Sequence, residues 1–176
     1  MQEKLRRIGT IGRPVKILFV CLGNICRSPA AQGVMQSIVD ERGLGDMFEL
    51  DSAGFYGGHA GDLPDARMRA HAIRRGLNLT HISRQIRPAD YEHFDILVGM
   101  DSANLSDLHD GASTLDEDHK IVSMADFCRM HPYADCVPDP YYGGAEGFEN
   151  VLDLLQDACL GLLDAILERL SAQDMQ

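Results

Sequence analysis

The sequence predicts an α/β sandwich built around a parallel sheet. Short apolar, β-branched runs recur along the chain, the first of them at residues 15–20 (VKILFV), and such runs are typical of strands buried on both faces. Amphipathic segments with helical spacing lie between these runs. The length of 176 residues suits one domain with a sizeable core.

Four strands and three helices account for most of this pattern. The predicted strands are residues 15–20, 47–54, 94–100 and 120–123. The first helix follows the first strand, with Ser28 as its N-cap and Pro29 in its first position, and Gly43 can end it. A second helix is predicted at residues 64–75.

The last helix has the clearest signal, because ten apolar residues form one stripe at i, i+3 and i+4 spacing. The stripe consists of Phe148, Val151, Leu152, Leu155, Cys159, Leu162, Leu163, Ile166, Leu167 and Leu170. We expect this stripe to face the core, with Cys159 as inert packing.

Composition excludes several classes of function. The net charge of −11 disfavours nucleic acid as a partner. No apolar run approaches the ~18–20 residues that span a bilayer, so we expect no membrane partner. Residues 1–14 are basic and have no apolar core of a secretory signal. They are predicted to be a flexible lead-in to a single domain at residues 15–172.

The cysteines point to a reducing compartment. The chain has five of them, an odd number that does not suit a disulfide framework, so the cytoplasm is the expected location. Cys128, His131 and Cys136 lack a fourth metal ligand at a usual spacing. Cys21 and Cys26 lack a second pair of ligands. We therefore expect no metal site.

The segment VCLGNICRSP, residues 20–29, carries the chemistry. A loop of five residues separates Cys21 from Arg27, between a predicted strand and the start of a helix. Backbone N–H groups of such a loop can surround a tetrahedral anion, and the helix adds its positive dipole end. The planar guanidinium of Arg27 can bind two phosphate oxygens, while the amides and the Ser28 hydroxyl can stabilise a Cys21 thiolate.

Two loop residues have backbone roles, since Gly23 supplies conformational freedom and Asn24 tolerates a left-handed conformation. The alternative interpretation is a strand-to-helix turn with two buried cysteines. A nucleotide-binding P-loop is excluded because no G-x-x-x-x-G-K-[ST] pattern occurs.

With four further motifs, this segment resembles the low-molecular-weight protein tyrosine phosphatases over residues 15–170. The motifs are DSAG (51–54), RQI (84–86), MDSANLSDL (100–108) and DPYY (139–142). The resemblance implies a flavodoxin-like three-layer sandwich with a four-stranded parallel sheet. It also implies cytoplasmic hydrolysis of phosphotyrosine in proteins or peptides, without metal or cofactor, and leaves the oligomeric state open.

The resemblance also implies roles for individual residues. Cys21 attacks phosphorus and forms a phosphocysteine, while Arg27 and the loop amides hold the phosphate oxygens. Asp139, between two prolines, is the general acid and then the general base. The predicted phosphate- and substrate-binding residues are Leu22, Gly23, Asn24, Ile25, Cys26, Arg27, Ser28, Tyr141 and Tyr142. Cys26 either packs the loop or protects oxidised Cys21 through a reversible disulfide.

Two other functions are alternatives. Thioredoxin-coupled arsenate reductases have the same Cys-x5-Arg loop and two relay cysteines, which Cys128 and Cys136 could imitate. A non-catalytic phosphate-binding module ranks last, because it would be expected to lack the nucleophile or the acid and both are present. The DPYY aromatics favour the phosphatase, in which the two tyrosines wall the pocket.

Two positions bear on the substrate. Family members often have Trp or Tyr where Gly58 stands, so Phe55 or Tyr56 is a candidate replacement. Relatives directed at phosphoarginine have a threonine where Ile25 stands, so the resemblance implies phosphotyrosine rather than phosphoarginine as the substrate.

Overall fold

Four parallel strands form the central sheet in the computed structural model of the protein, which describes residues 5, 8 and 12–174. The strands are β1 (Val15–Cys21), β2 (Phe48–Gly54), β3 (Ile96–Gly99) and β4 (Ile121–Ser123). Their spatial order is β2–β1–β3–β4, and every pairing is parallel. The predicted four-stranded parallel sheet is confirmed, and each strand lies within two residues of its predicted ends.

Helices cover both faces of the sheet. They are α1 (Arg27–Glu41), α2 (Ala66–Ile73), α3 (Pro88–His93), α4 (Ser102–Gly111), α5 (Leu115–Asp118) and α6 (Ala145–Asp174). Ile17 and Phe19 of β1 belong to a core shared with α1 and α6. Leu18 and Val20 face a second core with Tyr91 and Leu108. Because successive side chains of a strand point to opposite faces, β1 contacts a core on each side. The sheet is therefore the middle layer of a three-layer, flavodoxin-like sandwich.

The start of α1 differs from the prediction. The helix begins at Arg27 with Cys26 in the N-cap position, so Ser28 is not the N-cap and Pro29 is not the first helical residue. The Ser28 hydroxyl lies 3.0 Å from the Cys21 sulfur instead of capping the helix. The predicted end is confirmed, since Gly43 follows the helix with a left-handed φ of +68°.

Helix α6 contains the predicted apolar stripe, most of which is fully buried. Cys159 is buried within it, with its sulfur 3.7 Å from the Ala31 carbonyl oxygen. The short helices α3, α4 and α5 have no counterpart among the predicted elements. Among the described residues, no helix is both long and apolar enough to cross a membrane.

The predicted flexible lead-in, residues 1–14, lies mostly outside the described residues. Leu5 and Ile8 are described, and both are buried against the core shared by α1 and α6. The boundary predicted at residue 15 stays a prediction.

Candidate active site

The carboxyl ends of β1, β2 and β3 meet at one edge of the sheet, where Cys21 pairs with Gly54 and Val20 pairs with Gly99. Residues 22–26 run from this edge into α1. A Cβ atom on Gly54 would lie 2.7 Å from the Leu22 carbonyl oxygen. A larger residue at position 54 would therefore push the loop away from the sheet, which explains why glycine ends β2.

Three carbonyl groups of the loop bond to residues outside it. The carbonyl oxygens of Leu22 and Ile25 accept hydrogen bonds at 2.8 and 2.7 Å from the N–H groups of Tyr56 and Asp65. The Gly23 carbonyl accepts one from the Ser83 hydroxyl at 3.2 Å. Within the described part of the chain, no hydrogen bond uses the N–H groups of residues 22–26. Successive N–H groups left free in this way form a concave anion site.

Asn24 holds the loop in this shape. Its φ is +54°, the left-handed conformation that its residue type predicts. The side-chain amide donates to the hydroxyls of Ser28 and Ser52 at 2.8 and 3.0 Å. Its oxygen accepts from the Arg84 N–H at 2.9 Å and lies 3.0 Å from the His81 ring nitrogen. With four partners, the buried Asn24 side chain ties the loop to β2 and to the segment after α2.

Cys21 lies at the base of the loop, 3% exposed, with its sulfur 3.0 Å from the Ser28 hydroxyl oxygen. The Ser28 oxygen already accepts the hydrogen bond from Asn24. Its one proton can point at the Cys21 sulfur, at 3.0 Å, or at the Ala53 carbonyl oxygen, at 3.4 Å, and the sulfur is the nearer acceptor. Ser28 can thus stabilise a thiolate on Cys21.

Arg27 is the first residue of α1 and is 2% exposed. One guanidinium nitrogen donates to an Asp101 carboxylate oxygen at 2.5 Å and to the Val137 carbonyl oxygen at 3.1 Å. The other terminal nitrogen lies 3.5 Å from the Asp139 carboxylate. The second Asp101 oxygen accepts from the N–H of Asn104 and caps α4. Asp101, to which the sequence assigned no role, therefore orients Arg27 from a fixed helix end.

Asp139 lies on the loop that follows β4 and precedes α6. One of its oxygens accepts from the Tyr141 N–H at 3.1 Å, and the side chain is partly exposed. The loop is attached to the sheet edge because the Val137 N–H donates to the Met100 carbonyl at 2.8 Å. The rings of Tyr141 and Tyr142 meet edge to face, with centroids 4.9 Å apart.

One cavity of about 430 Å³ brings most of the predicted residues together. It is lined by Cys21, Leu22, Gly23, Ile25, Cys26, Arg27, Tyr56, His59, Asp139, Tyr141 and Tyr142. Asn24 and Ser28, predicted to bind phosphate, do not line it: their side chains lie beneath the loop and hold it. His59 was not predicted, and its place in a glycine-rich segment gave no sequence signal.

Cys26 is buried beside Cys21. Burial raises the pKa of its thiol, and the nearby Asp65 carboxylate raises that pKa further. Cys26 is therefore held as a thiol at neutral pH, and the two interpretations of its role, packing and redox protection, both stay predictions.

Cys128 and Cys136 have different surroundings. The Cys128 sulfur lies 3.8 Å from the Leu154 carbonyl oxygen of α6, and burial, with the Asp157 carboxylate, raises the pKa of its thiol to about 11. Burial and a hydrogen bond with Asp135 raise the pKa of the Cys136 thiol. Neither cysteine lines the cavity that contains Cys21. In the described part of the chain, no three His, Cys, Asp or Glu side chains are arranged to hold a metal ion.

Comparison with known proteins points to one family. Residues 16–173 match the family model for low molecular weight phosphotyrosine protein phosphatases. A relative from Synechocystis sp. named for the same family is 43% identical over 86% of this chain and 96% of its own. A low molecular weight protein-tyrosine-phosphatase of Streptomyces coelicolor is 37% identical over 90% of this chain and 97% of its own. The crystal structure of a protein tyrosine phosphatase from Entamoeba histolytica superposes with a TM-score of 0.85 at 42% identity, covering 88% of this chain and 97% of that one.

Proposed function

The chain belongs to the low molecular weight phosphotyrosine protein phosphatase family, and on that premise we propose that it hydrolyses phosphotyrosine through a phosphocysteine on Cys21. One observation carries the proposal: Cys21, Arg27 and Asp139 line a single cavity whose floor is the loop of free N–H groups. A nucleophile, an anion site and a proton donor are the three parts that cleavage of an aryl phosphate needs.

Substrate binding uses the loop and Arg27. The N–H groups of residues 22–28 and the guanidinium of Arg27 take the phosphate oxygens, so that in this proposal no metal or cofactor takes part. The Ser28 hydroxyl, 3.0 Å from the Cys21 sulfur, supports the attacking sulfur with a hydrogen bond.

In the first step the Cys21 sulfur bonds to phosphorus while the bond from phosphorus to the tyrosine oxygen breaks. Asp139 gives its proton to that leaving oxygen, so the product leaves as a neutral phenol. Two observations support this role: the Tyr141 N–H holds one Asp139 oxygen at 3.1 Å, and Asp139 lines the cavity that contains Cys21.

In the second step water attacks the phosphocysteine. Asp139, now a carboxylate, takes a proton from the water as the oxygen bonds to phosphorus. The sulfur–phosphorus bond breaks, and Cys21 leaves as a thiolate while inorganic phosphate is released. The loop amides stabilise charge in both transition states, because the phosphorus stays in the same anion site.

Replacing the nucleophile tests the proposal directly. We expect Cys21→Ser to abolish hydrolysis of para-nitrophenyl phosphate while retaining phosphate affinity, measured by calorimetry. Cys128→Ser is the matched control, because it makes the same sulfur-to-oxygen change away from the cavity. Normal turnover by Cys21→Ser would show that the nucleophile is wrong.

The proton donor has its own test. We expect Asp139→Asn to lower the turnover of phenyl phosphate by about 10²- to 10⁴-fold. The loss should be smaller for para-nitrophenyl phosphate, whose phenolate leaves without a proton. An equal loss for both substrates would contradict a proton-donor role for Asp139.

A panel of phosphotyrosine, phosphoarginine, phosphoserine and arsenate separates the alternatives. The buried Ile25 lines the cavity. Because isoleucine at this position favours phosphotyrosine by resemblance, we expect phosphotyrosine to be the preferred substrate of the panel. Thioredoxin-coupled arsenate reduction that is lost in Cys128→Ser or Cys136→Ser would favour the reductase instead. The separate surroundings of these two thiols disfavour such a relay.

We further propose that the protein works in the cytoplasm. All five cysteines are free, and the nucleophile requires a reduced thiol. The proposed partners are phosphotyrosine-containing proteins or peptides.

A further inference from the structure

We propose that Tyr56 forms a second aromatic wall of the cavity and selects an aromatic leaving group, and that Gly58 is required to leave room for its ring. This inference rests on the proposed function and concerns the substrate that the same cavity accepts. The wall comes from the segment after β2, whereas Tyr141 and Tyr142 come from the loop before α6.

Tyr56 is fixed to the phosphate loop by its backbone. Its N–H donates to the Leu22 carbonyl oxygen at 2.8 Å, which ties the Tyr56 backbone to the loop. Its side chain lines the cavity that contains Cys21 and is 57% exposed. The neighbouring Phe55 packs against the other core, with residues such as Val20, and does not line the cavity. Of the two candidate aromatics, Tyr56 is the one placed to meet a substrate.

Gly58 makes room for the Tyr56 ring. A Cβ atom on Gly58 would lie 2.2 Å from both the Cζ and the hydroxyl oxygen of Tyr56. The φ of Gly58 is not in the left-handed region, so its backbone would accept alanine. The need for glycine is therefore one of space, and any side chain at position 58 must displace the ring.

The segment around Gly58 is held on two sides. Gln85 donates from its side-chain amide to the Phe55 carbonyl oxygen at 2.9 Å. The His59 ring meets the Tyr56 ring edge to face, with the ring centroids 5.6 Å apart. A Cβ atom on Gly23, in the phosphate loop, would lie 3.4 Å from the His59 ring. Because the ring is confined by His59 and Gly58, it has a defined position at the cavity and can form a wall there.

A ring at this position distinguishes phosphate esters by the group attached to the phosphate. Contacts between aromatic rings are favourable beyond the area that they bury, and phosphoserine or inorganic phosphate offers no ring. Tyr56 should therefore contribute to binding of an aryl phosphate and leave binding of the phosphate group alone unchanged.

A double-mutant cycle of Tyr56→Ala and Gly58→Ala tests the inference. The measurements are kcat and KM for a phosphotyrosine peptide and competitive inhibition by inorganic phosphate. We expect Tyr56→Ala to raise KM about fivefold, with little change in kcat or in the phosphate inhibition constant. Gly58→Ala should raise KM similarly, because it displaces the ring, and the double variant should be no worse than Tyr56→Ala alone.

Two controls complete the experiment. Tyr56→Phe keeps the ring and should keep the wild-type KM, while Gly144→Ala adds a methyl group in open space and should change nothing. An unchanged KM in Tyr56→Ala or Gly58→Ala, or fully additive effects in the double variant, would overturn the inference. A phosphate inhibition constant that rises in parallel with KM would also overturn it, since weaker phosphate binding would show that the phosphate loop is disturbed. In each of these cases the wild type would still hydrolyse the peptide, whereas failure of the proposed function would remove that activity.

Discussion

Replacing Asp101 with asparagine separates the two contacts of its carboxylate. One oxygen holds the buried Arg27 guanidinium at 2.5 Å, and the other caps α4 through the Asn104 N–H at 2.8 Å. Asparagine is as good an N-cap as aspartate, so Asp101→Asn keeps the cap when its one side-chain oxygen accepts from the Asn104 N–H. Its amide NH2 then faces the Arg27 guanidinium as donor against donor, so the variant removes both the negative charge and the acceptor that orient Arg27.

The size of the effect follows from the contact that is lost. A hydrogen bond to a charged group contributes about 1.5–3 kcal/mol. Full loss of that contribution from the transition state corresponds to a fall in rate of about 10- to 150-fold. Arg27 keeps its bond to the Val137 carbonyl, so it is loosened and not released. We therefore expect kcat/KM to fall about tenfold.

The assay compares Asp101→Asn with Asp101→Ala. Both variants should lose activity, but only the alanine variant should also lose about 1 kcal/mol of stability to urea, because it removes the helix cap. Wild-type kcat/KM in the asparagine variant would refute the argument, since it would show that Arg27 is positioned without the carboxylate. So would a loss of activity confined to the alanine variant.

Two further predictions concern stability. Gly161→Ala should destabilise the protein by about 1–3 kcal/mol in urea unfolding, because its Cβ would lie 2.0 Å from the Phe127 carbonyl oxygen. Gly144→Ala adds a methyl group in open space and should have almost no effect. Equal stability of the two variants would contradict the steric explanation. A side-chain hydrogen bond from Arg75 lowers the pKa of Glu149 from 4.5 to about 2, so its ionised form stabilises the fold above about pH 4.5 and that stabilisation is lost as the pH falls toward 2. The melting temperature of the wild type should therefore exceed that of Glu149→Gln at pH 6 and converge with it at low pH, and a difference independent of pH would contradict this cause.

The sequence was most informative where one residue type leaves few structural choices. The apolar run at residues 15–20 predicts a strand buried on both faces, and β1 is the central strand with a core on each side. Asn24 is left-handed, and Gly43 is left-handed after α1. These features depend on local sequence and on the two-residue period of a strand, which a single chain displays directly.

The sequence was less informative where contacts distant along the chain decide the outcome. Ser28 looks like a helix cap, but its hydroxyl lies beside Cys21 and Asn24, and the helix begins before it. Asp101 reaches Arg27 across 74 residues of chain. Tyr56 and Phe55 are neighbours with similar side chains, and only the direction of β2 at its end sends them to different environments.

Charge alone does not explain how this acidic chain would bind phosphate. Arg27 is the cation in the cavity, yet carboxylates of Asp101 and Asp139 lie beside it, and the whole chain carries a net charge of −11. The positive potential must therefore come largely from the N–H groups of residues 22–28 and the start of α1. Those groups converge only while the loop keeps its shape, which depends on the four hydrogen bonds of Asn24. Anion binding in this protein is thus a consequence of backbone geometry, with Arg27 providing direction more than charge.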